Sequence, residues 1–220
     1  MLRADLHSHT QFSRDGLTRP EAFVQRCIQK GITCAAVTEH NNIVGALRVQ
    51  ELAPFKVIVG EEVKTTEGEI IGLFLKEPVP KGLTPERTVE LIQAQGGIVC
   101  VPHPFDRVRR SPLKAEALAR ILPHVQVLEV FNSRTTLRRD NEKARRFAEE
   151  HGLLVSAGTD SHSVWEIGNA WVEMPDFEGP EEFLAALRQG TVHGKRSNPL
   201  VHLLSTYAKL RWRLGLSPAR

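Results

Sequence analysis

Cysteine is scarce in this sequence: Cys27, Cys34 and Cys100 sit inside apolar segments, and no CxxC pair occurs. That excludes a disulfide framework and a thiolate zinc knot, and it leaves the three thiols as small buried hydrophobes. Long apolar runs are also missing, since none approaches the ~20 residues that a membrane span needs. The N-terminus shows no basic stretch followed by an apolar core and a small-residue cleavage site, so secretion is not expected and the cytoplasm is the expected compartment. Neither sign of charge dominates. A net charge of +3 permits an anionic substrate without demanding nucleic acid. No fixed-period repeat or low-complexity tract stands out.

What the chain does contain is an alternation of strand-like and helix-like segments within 220 residues, a length that suits one domain. Thr18-Arg19-Pro20-Glu21 has capping-box spacing, and Ala22, Phe23, Cys27 and Ile28 form the stripe of a helix that ends at Gly31. Strand-like runs follow at 32–38, 56–59 and 69–75, with a short helix over 43–52. Thr84-Pro85-Glu86 opens a helix closing at Gly96-Gly97, and Ser111-Pro112 opens one over 113–122. Strands over 125–131 and 153–157, a charged helix over 137–151, a strand near 170–174 and a helix from Gly179-Pro180-Glu181 complete the pattern. Repeated βα units predict a mostly parallel sheet or barrel, because parallel strands need crossovers. Beyond Asn198, the residues Leu200, Val201, Leu203, Leu204, Leu210, Trp212 and Leu214 predict a tail helix packing its apolar side on the domain. A membrane-surface helix is the other reading of that tail.

Residues of metal-ligand type cluster where the strands end. Asp5-Leu6-His7-Ser8-His9 lies in the first strand, and strict alternation would put Asp5, His7 and His9 on one face. Later runs end in Glu39-His40, Glu61-Glu62, His103 and Asp160-Ser161-His162. The carboxyl ends of successive strands are where αβ barrels and open αβ sheets build their sites. Together with Asp15, these clusters offer oxygen and imidazole donors and no thiolate, a set suited to Zn, Mn or Fe. They hold more candidate ligands than one tetrahedral site uses, so two or three divalent ions bridged by a carboxylate are expected. Adjacent strand residues face opposite ways, so only one of Glu61 and Glu62 can point into such a centre. Arg107, Arg109 and Arg110 follow the His103 segment, and Arg134 follows Glu129-Val130-Phe131-Asn132. Arginine grips phosphate bidentately, which makes these arginines, Arg134 among them, candidate substrate clamps.

The clusters resemble the motifs of the PHP (polymerase and histidinol phosphatase) superfamily. Asp5-Leu6-His7-Ser8-His9-Thr10 is similar to its first motif and Val37-Thr38-Glu39-His40-Asn41 to its second. Gly60-Glu61-Glu62-Val63 with Val101-Pro102-His103-Pro104 is similar to the third, and Gly158-Thr159-Asp160-Ser161-His162 to the fourth. The resemblance covers residues 1–200 and implies an α/β fold: a distorted (β/α)7 barrel with a trinuclear metal centre at the C-terminal ends of its strands. Residues 201–220 are then a helical extension packed on that domain. Carried over residue by residue, the resemblance implies that His7, His9, Glu62 and Asp160 hold one metal. Glu62 bridges to a second, bound also by His103, and Asp15, His40 and His162 hold a third. Asp5 and Glu39 are implied to accept the outer N–H groups of ligand imidazoles. The family spacing Gly-x-Glu selects Glu62 over Glu61.

Two positions depart from the family pattern. Glu39 stands where the second motif reads Asp, and Glu69 stands where many relatives carry a histidine. Glu69 either ligates through oxygen, hardening the site towards Mn or Fe, or leaves that metal weak or absent. The implied activity is hydrolysis of a phosphate ester of a small metabolite or nucleotide by a metal-activated hydroxide. The alternatives are a 5′-to-3′ exonuclease acting on short RNA or DNA, amidohydrolase-type cleavage of a C–N bond, and a non-catalytic metal-binding module. No membrane partner is expected, and the oligomeric state is left open.

Overall fold

The computed structural model describes residues 1–109 and 111–216. From the N-terminus it runs β1 (Leu2–Ser8), α1 (Pro20–Lys30), β2 (Cys34–His40), α2 (Val44–Leu52), β3 (Lys56–Thr65), β4 (Gly68–Leu73), α3 (Pro85–Ala94) and β5 (Ile98–Val101). The second half comprises α4 (Ala115–Ile121), β6 (Val127–Asn132), α5 (Arg138–His151), β7 (Leu154–Gly158), β8 (Ala170–Met174), α6 (Gly179–Arg188), β9 (Thr191–Gly194) and α7 (Val201–Arg213). Gly31 closes α1 and Gly152 closes α5 in the left-handed conformation, at φ 67° and 64°. Thr84 caps α3 by accepting from Arg87 N at 3.3 Å. The capping box expected at Thr18 does not form. Arg19 precedes α1 with no side-chain cap, and Pro20, with its preset φ, starts the helix. The helix expected from residue 113 begins later, at Ala115. Lys114 N–H donates to the Glu67 carbonyl at 2.9 Å, which holds the chain before α4 extended against the β3–β4 turn.

The sheet has the order β7-β6-β5-β4-β3-β2-β1-β8-β9. The β1-β2-β3 and β5-β6-β7 pairings are parallel, whereas β4 is antiparallel to both neighbours and β8 is antiparallel to β1. The sheet is therefore mixed, because the Thr66-Glu67-Gly68 turn is too short for a parallel crossover. It curls until the exit of β7 meets β1. Asp160 N donates to the His7 carbonyl at 2.7 Å and His9 N to the Ser161 carbonyl at 3.0 Å, and Ser8 and Ser161 form a parallel bridge. The result is a nearly closed, distorted α/β barrel.

Two apolar clusters hold it together. Leu6, Ala36, Ile58, Leu73 and Val127 on one face of the sheet pack with Phe177 and Phe183. On the other face Val37, Val59, Val99 and Leu128 pack with helix residues such as Phe23, Ile92 and Leu118. Each fully buried Leu, Ile or Phe contributes about 1.5–3 kcal/mol.

A bulge in β1 decides which side chains enter the site. Asp5 stands opposite Ala35, but Ser8 stands opposite Val37, so β1 uses one residue more than β2 over that stretch. Asp5 and Ser8 thus share the face of Ala35 and Val37, the helix side. The expected single face for Asp5, His7 and His9 is broken there, and the two histidines turn inward without the aspartate.

α7 seats on the domain through Ser205 and Ala208. Leu200, Leu203, Leu204, Leu210 and Leu214 in and beside it are exposed, whereas Val201 is half-buried and Trp212 lines a cavity, so most of the apolar face expected to dock is turned outward. Polar contacts described below choose the seated face. Residues 217–220 of the expected extension lie outside the described residues. Among the described residues, no helix is long and apolar enough to cross a membrane.

Glu61 lies on β3 with its carboxylate fully buried and accepting from Val79 N at 2.8 Å. Burial pushes its pKa up from 4.5 to about 7. An acid raised in the folded state favours folding below its unfolded pKa, and that contribution, about 3 kcal/mol here, fades as pH rises through its folded value. Glu61→Gln should therefore raise Tm relative to the parent protein at about pH 8 and change it little at about pH 4.5. Thermal melts across that range test this, and a pH-independent difference would refute it.

Candidate metal centre

Glu62 occupies the middle of a ring of imidazoles at the carboxyl ends of the strands. Its Oε1 is 3.0 Å from His103 Nε2. Its Oε2 is 3.0 Å from His40 Nδ1, 3.4 Å from His9 Nε2 and 3.6 Å from His7 Nε2. The β2–β3 register sets His40 directly beside Glu62. Asp160 Oδ1 approaches His9 Nε2 at 3.4 Å and His7 Nε2 at 3.8 Å, and the two Nε2 atoms face each other at 3.2 Å. Asp15 Oδ1 lies 3.4 Å from both His40 Nε2 and His162 Nε2. Glu69 reaches the edge of the cluster, with Oε2 4.0 Å from His103 Nε2. All the ligand-type residues expected from the sequence are thus brought together, and Glu61 is turned away.

The backbone is bent to achieve this. His103 and Asp160 adopt φ of 30° and 51°, values costing of order 1–3 kcal/mol each that persist where surrounding structure enforces them. Gly158 is required beside them, because a Cβ there would lie 2.2 Å from His7 Cβ.

Burial would neutralise this cluster were its charges not mutually compensating. Burial disfavours charge on His7, yet Glu129, Asp160 and Glu62 outweigh it and hold the pKa well above the usual histidine value. His40 is raised likewise, with Asp15 and Glu62 overcoming its burial. Burial opposes ionisation of Glu62, Asp15 and Asp160, but neighbouring imidazoles, and Arg109 beside Asp160, leave all three well below the usual carboxylate range. His162 goes the other way: burial and then Arg134 push it down to about 3. A buried set of carboxylates and imidazoles that converges its donor atoms, with no sulfur among them, fits Zn, Mn or Fe. His9, His40 and His162; His7, Glu62 and His103; His7, His9 and Asp160; and His40, Glu62 and Glu69 each place three donor atoms within 4.8 Å of one another. His7, His9, His40 and Glu62 each belong to two of these groups, so the groups form one connected cluster.

The groups behind these ligands differ from expectation. Asp5 accepts from Thr159 N at 2.9 Å, Thr159 Oγ1 at 2.6 Å and His7 N at 3.4 Å, and burial pushes its pKa up to about 7. Glu39 accepts from Thr10 N at 2.9 Å, from Thr10 Oγ1, and from Ser13 Oγ at 2.5 Å. Neither carboxylate receives an imidazole N–H, the role the resemblance implies. For Asp5 the reason is the β1 bulge, and for Glu39 it is the Ser13 hydroxyl standing between it and His9. The carboxylate that does meet a ligand ring is Glu129, whose Oε1 lies 3.0 Å from His7 Nδ1. Its Oε2 accepts from His103 N at 2.7 Å and Asn132 Nδ2 at 3.0 Å. Sequence reasoning passed over Glu129, although a lone carboxylate in the apolar β6 run was a signal.

The arginines divide into distinct roles. Arg107 is held by Asp140, with Nε 3.0 Å from Oδ1. Arg109 bonds Asp160 and reaches Asp106 Oδ2 at 3.2 Å. Arg134, expected as a clamp, is buried and committed within the protein. Its Nη1 meets His162 Nδ1, its Nη2 donates to Ser205 Oγ at 2.8 Å and the Val201 carbonyl at 3.3 Å, and its Nε lies 3.2 Å from Glu166 Oε1. Arg110 lies outside the described residues. Over the cluster opens a cavity of about 870 Å³ with Arg14, Lys64, Lys81, Arg109, His202 and Lys209 among its lining. Lys209, from α7, sits 3.1 Å from Asp15 Oδ2.

The sequence matches the PHP domain family over residues 5–162 and the PHP-associated family over residues 138–192. It is 34% identical over 224 residues to an uncharacterized protein of Methanocaldococcus jannaschii, MJ0417, covering 97% of this chain and 90% of that one. Among solved structures, a Bacteroides vulgatus two-domain protein containing a predicted PHP-like metal-dependent phosphoesterase superposes with a TM-score of 0.73 at 18% identity. That match covers 88% of this chain, which spans 65% of the length of the Bacteroides protein. PsfC from Pseudomonas syringae superposes with a TM-score of 0.65 at 17% identity, covering 96% of this chain and 99% of PsfC. At these identities the superpositions establish the fold.

Protein purified without chelator should carry more than one Zn, Mn or Fe per chain by elemental mass spectrometry. Glu129→Ala should weaken metal affinity by roughly 10–100-fold in chelator competition, the usual cost of losing a carboxylate behind a ligand imidazole. Unchanged affinity would remove Glu129 from the centre.

Proposed function

The chain belongs to the PHP domain family, and we propose that it is a metal-dependent phosphoesterase cleaving a phosphate ester of a small metabolite or nucleotide. The observation that carries this is one buried carboxylate, Glu62, shared by four imidazoles beneath a cation-rimmed cavity. His7, His9, Glu62, His103 and Asp160 would hold ions on one side of the cluster, and Asp15, His40 and His162 on the other. Glu69, an oxygen donor at the rim, favours Mn or Fe there. When bound, such ions supply Lewis-acid activation of water and neutralise charge on the phosphoryl oxygens.

The chain's own residues do the rest. Arg109, anchored by Asp106 and Asp160, presents a guanidinium at the cavity wall where an anionic phosphoryl group would sit. Arg134 acts as a positioning residue: it meets His162 and ties α7 to the site. α7 walls the cavity with His202, Thr206 and Lys209, which supports a compact substrate over a nucleic-acid strand threading past.

A screen of phosphomonoesters, nucleotides and short oligonucleotides with added Mn, read by phosphate release, tests the proposal. His7→Ala or Asp160→Ala should abolish turnover while the circular dichroism spectrum stays that of the parent. Arg109→Ala should lower kcat/KM by roughly 100-fold, the scale seen when one donor to a developing oxyanion is removed. Unaltered activity in metal-stripped protein would overturn the mechanism.

A further inference from the structure

We propose that Ser13 is a positioning residue of the metal centre, relaying the Glu39 carboxylate to His9 and so fixing which His9 nitrogen faces the metals. Ser13 Oγ lies 2.5 Å from Glu39 Oε2, 3.2 Å from His9 Nδ1 and 2.9 Å from His40 N. All of these groups except the His40 side chain are fully buried, so water does not compete for the bonds. A serine hydroxyl has one proton to give and two lone pairs to offer.

Those few valences determine the arrangement. The His40 backbone N–H can only donate, so it takes one lone pair of Ser13. A carboxylate can only accept, so the Ser13 proton points to Glu39. The remaining lone pair faces His9 Nδ1, which must then carry the hydrogen. His9 Nε2 is thereby left as the free donor atom, and it is the nitrogen that faces His7 Nε2, Glu62 and Asp160. Without the carboxylate, the hydroxyl could turn and donate to His9 Nδ1, moving the ring proton onto the nitrogen that should bind metal. One serine also ties two neighbouring ligands together, His9 through its ring and His40 through its backbone.

The same geometry accounts for glutamate at position 39. The longer side chain reaches past β2 to Thr10 and Ser13, and α2 leaves room for it. A Cβ at Gly45 would lie 2.1 Å from Glu39 Oε1 and 2.8 Å from Thr10 Oγ1. Gly45 is therefore part of the relay, although it contributes no polar side chain.

The test combines zinc affinity, histidine ¹⁵N NMR of the zinc-loaded protein, and Tm. The parent protein should show His9 with a slowly exchanging Nδ1–H and a metal-bound Nε2. Glu39→Gln keeps the size of the side chain but can donate to Ser13. It should lose the slowly exchanging signal and bind zinc roughly 10-fold more weakly. Ser13→Ala should do the same, and Gly45→Ala should reproduce the loss without removing any polar group. Should Ser13→Ala fold poorly by Tm, Glu39→Gln carries the test. Zinc affinity and His9 signal unchanged in Glu39→Gln would overturn the relay. The proposal rests on the metal-centre reading, and the two fail differently: parent protein that binds no metal overturns that reading, whereas equal binding by parent and variants overturns the relay alone.

Discussion

The architecture is organised around a buried carboxylate at the floor of an open cavity. Glu62 is fully buried, and four imidazoles supplied by β1, β2 and the segment after β5 surround it. A lone carboxylate buried this way would be driven to the neutral acid, so its position is tenable only while the surrounding rings, or cations held with them, compensate its charge. Removing a ring leaves that charge exposed to a low-dielectric interior. The mixed sheet, the bulge in β1 and the left-handed backbone at His103 and Asp160 all serve to bring those compensating groups within reach.

Much of this was legible in the sequence, and the rest was hidden for identifiable reasons. Strand ends are marked by apolar runs that stop at polar residues, which is why the ligand-type residues and most elements could be placed from periodicity. The β1 bulge could not, because an extra residue in a strand leaves no trace in the alternation of Asp5, His7 and His9. The direction of β4 lay in the shortness of the Thr66-Glu67-Gly68 turn and not in its apolar periodicity. On α7 the apolar residues were plain, but which face docks was decided by Arg134, Lys209 and their partners Ser205 and Asp15. Hydrophobicity alone did not single out that side.

Two ligand rings are braced in different ways. His7 Nδ1 meets the Glu129 carboxylate directly, whereas on the Nδ1 side of His9 the Glu39 carboxylate lies behind the Ser13 hydroxyl. A direct carboxylate raises the electron density of its ring more than a hydroxyl does. The two histidine rings at the end of β1 therefore differ in donor strength. A metal centre built on them would be asymmetric without any difference in ligand type.

The ion pair between Asp15 and Lys209 joins residues near opposite ends of the sequence. During synthesis the early strands emerge first, and the buried cluster around Glu62 is still missing Asp160, His162 and the wall formed by α7. The wall over the cluster is thus completed by a contact that spans nearly the whole sequence, and the cavity takes its shape only when the C-terminal helix is in place.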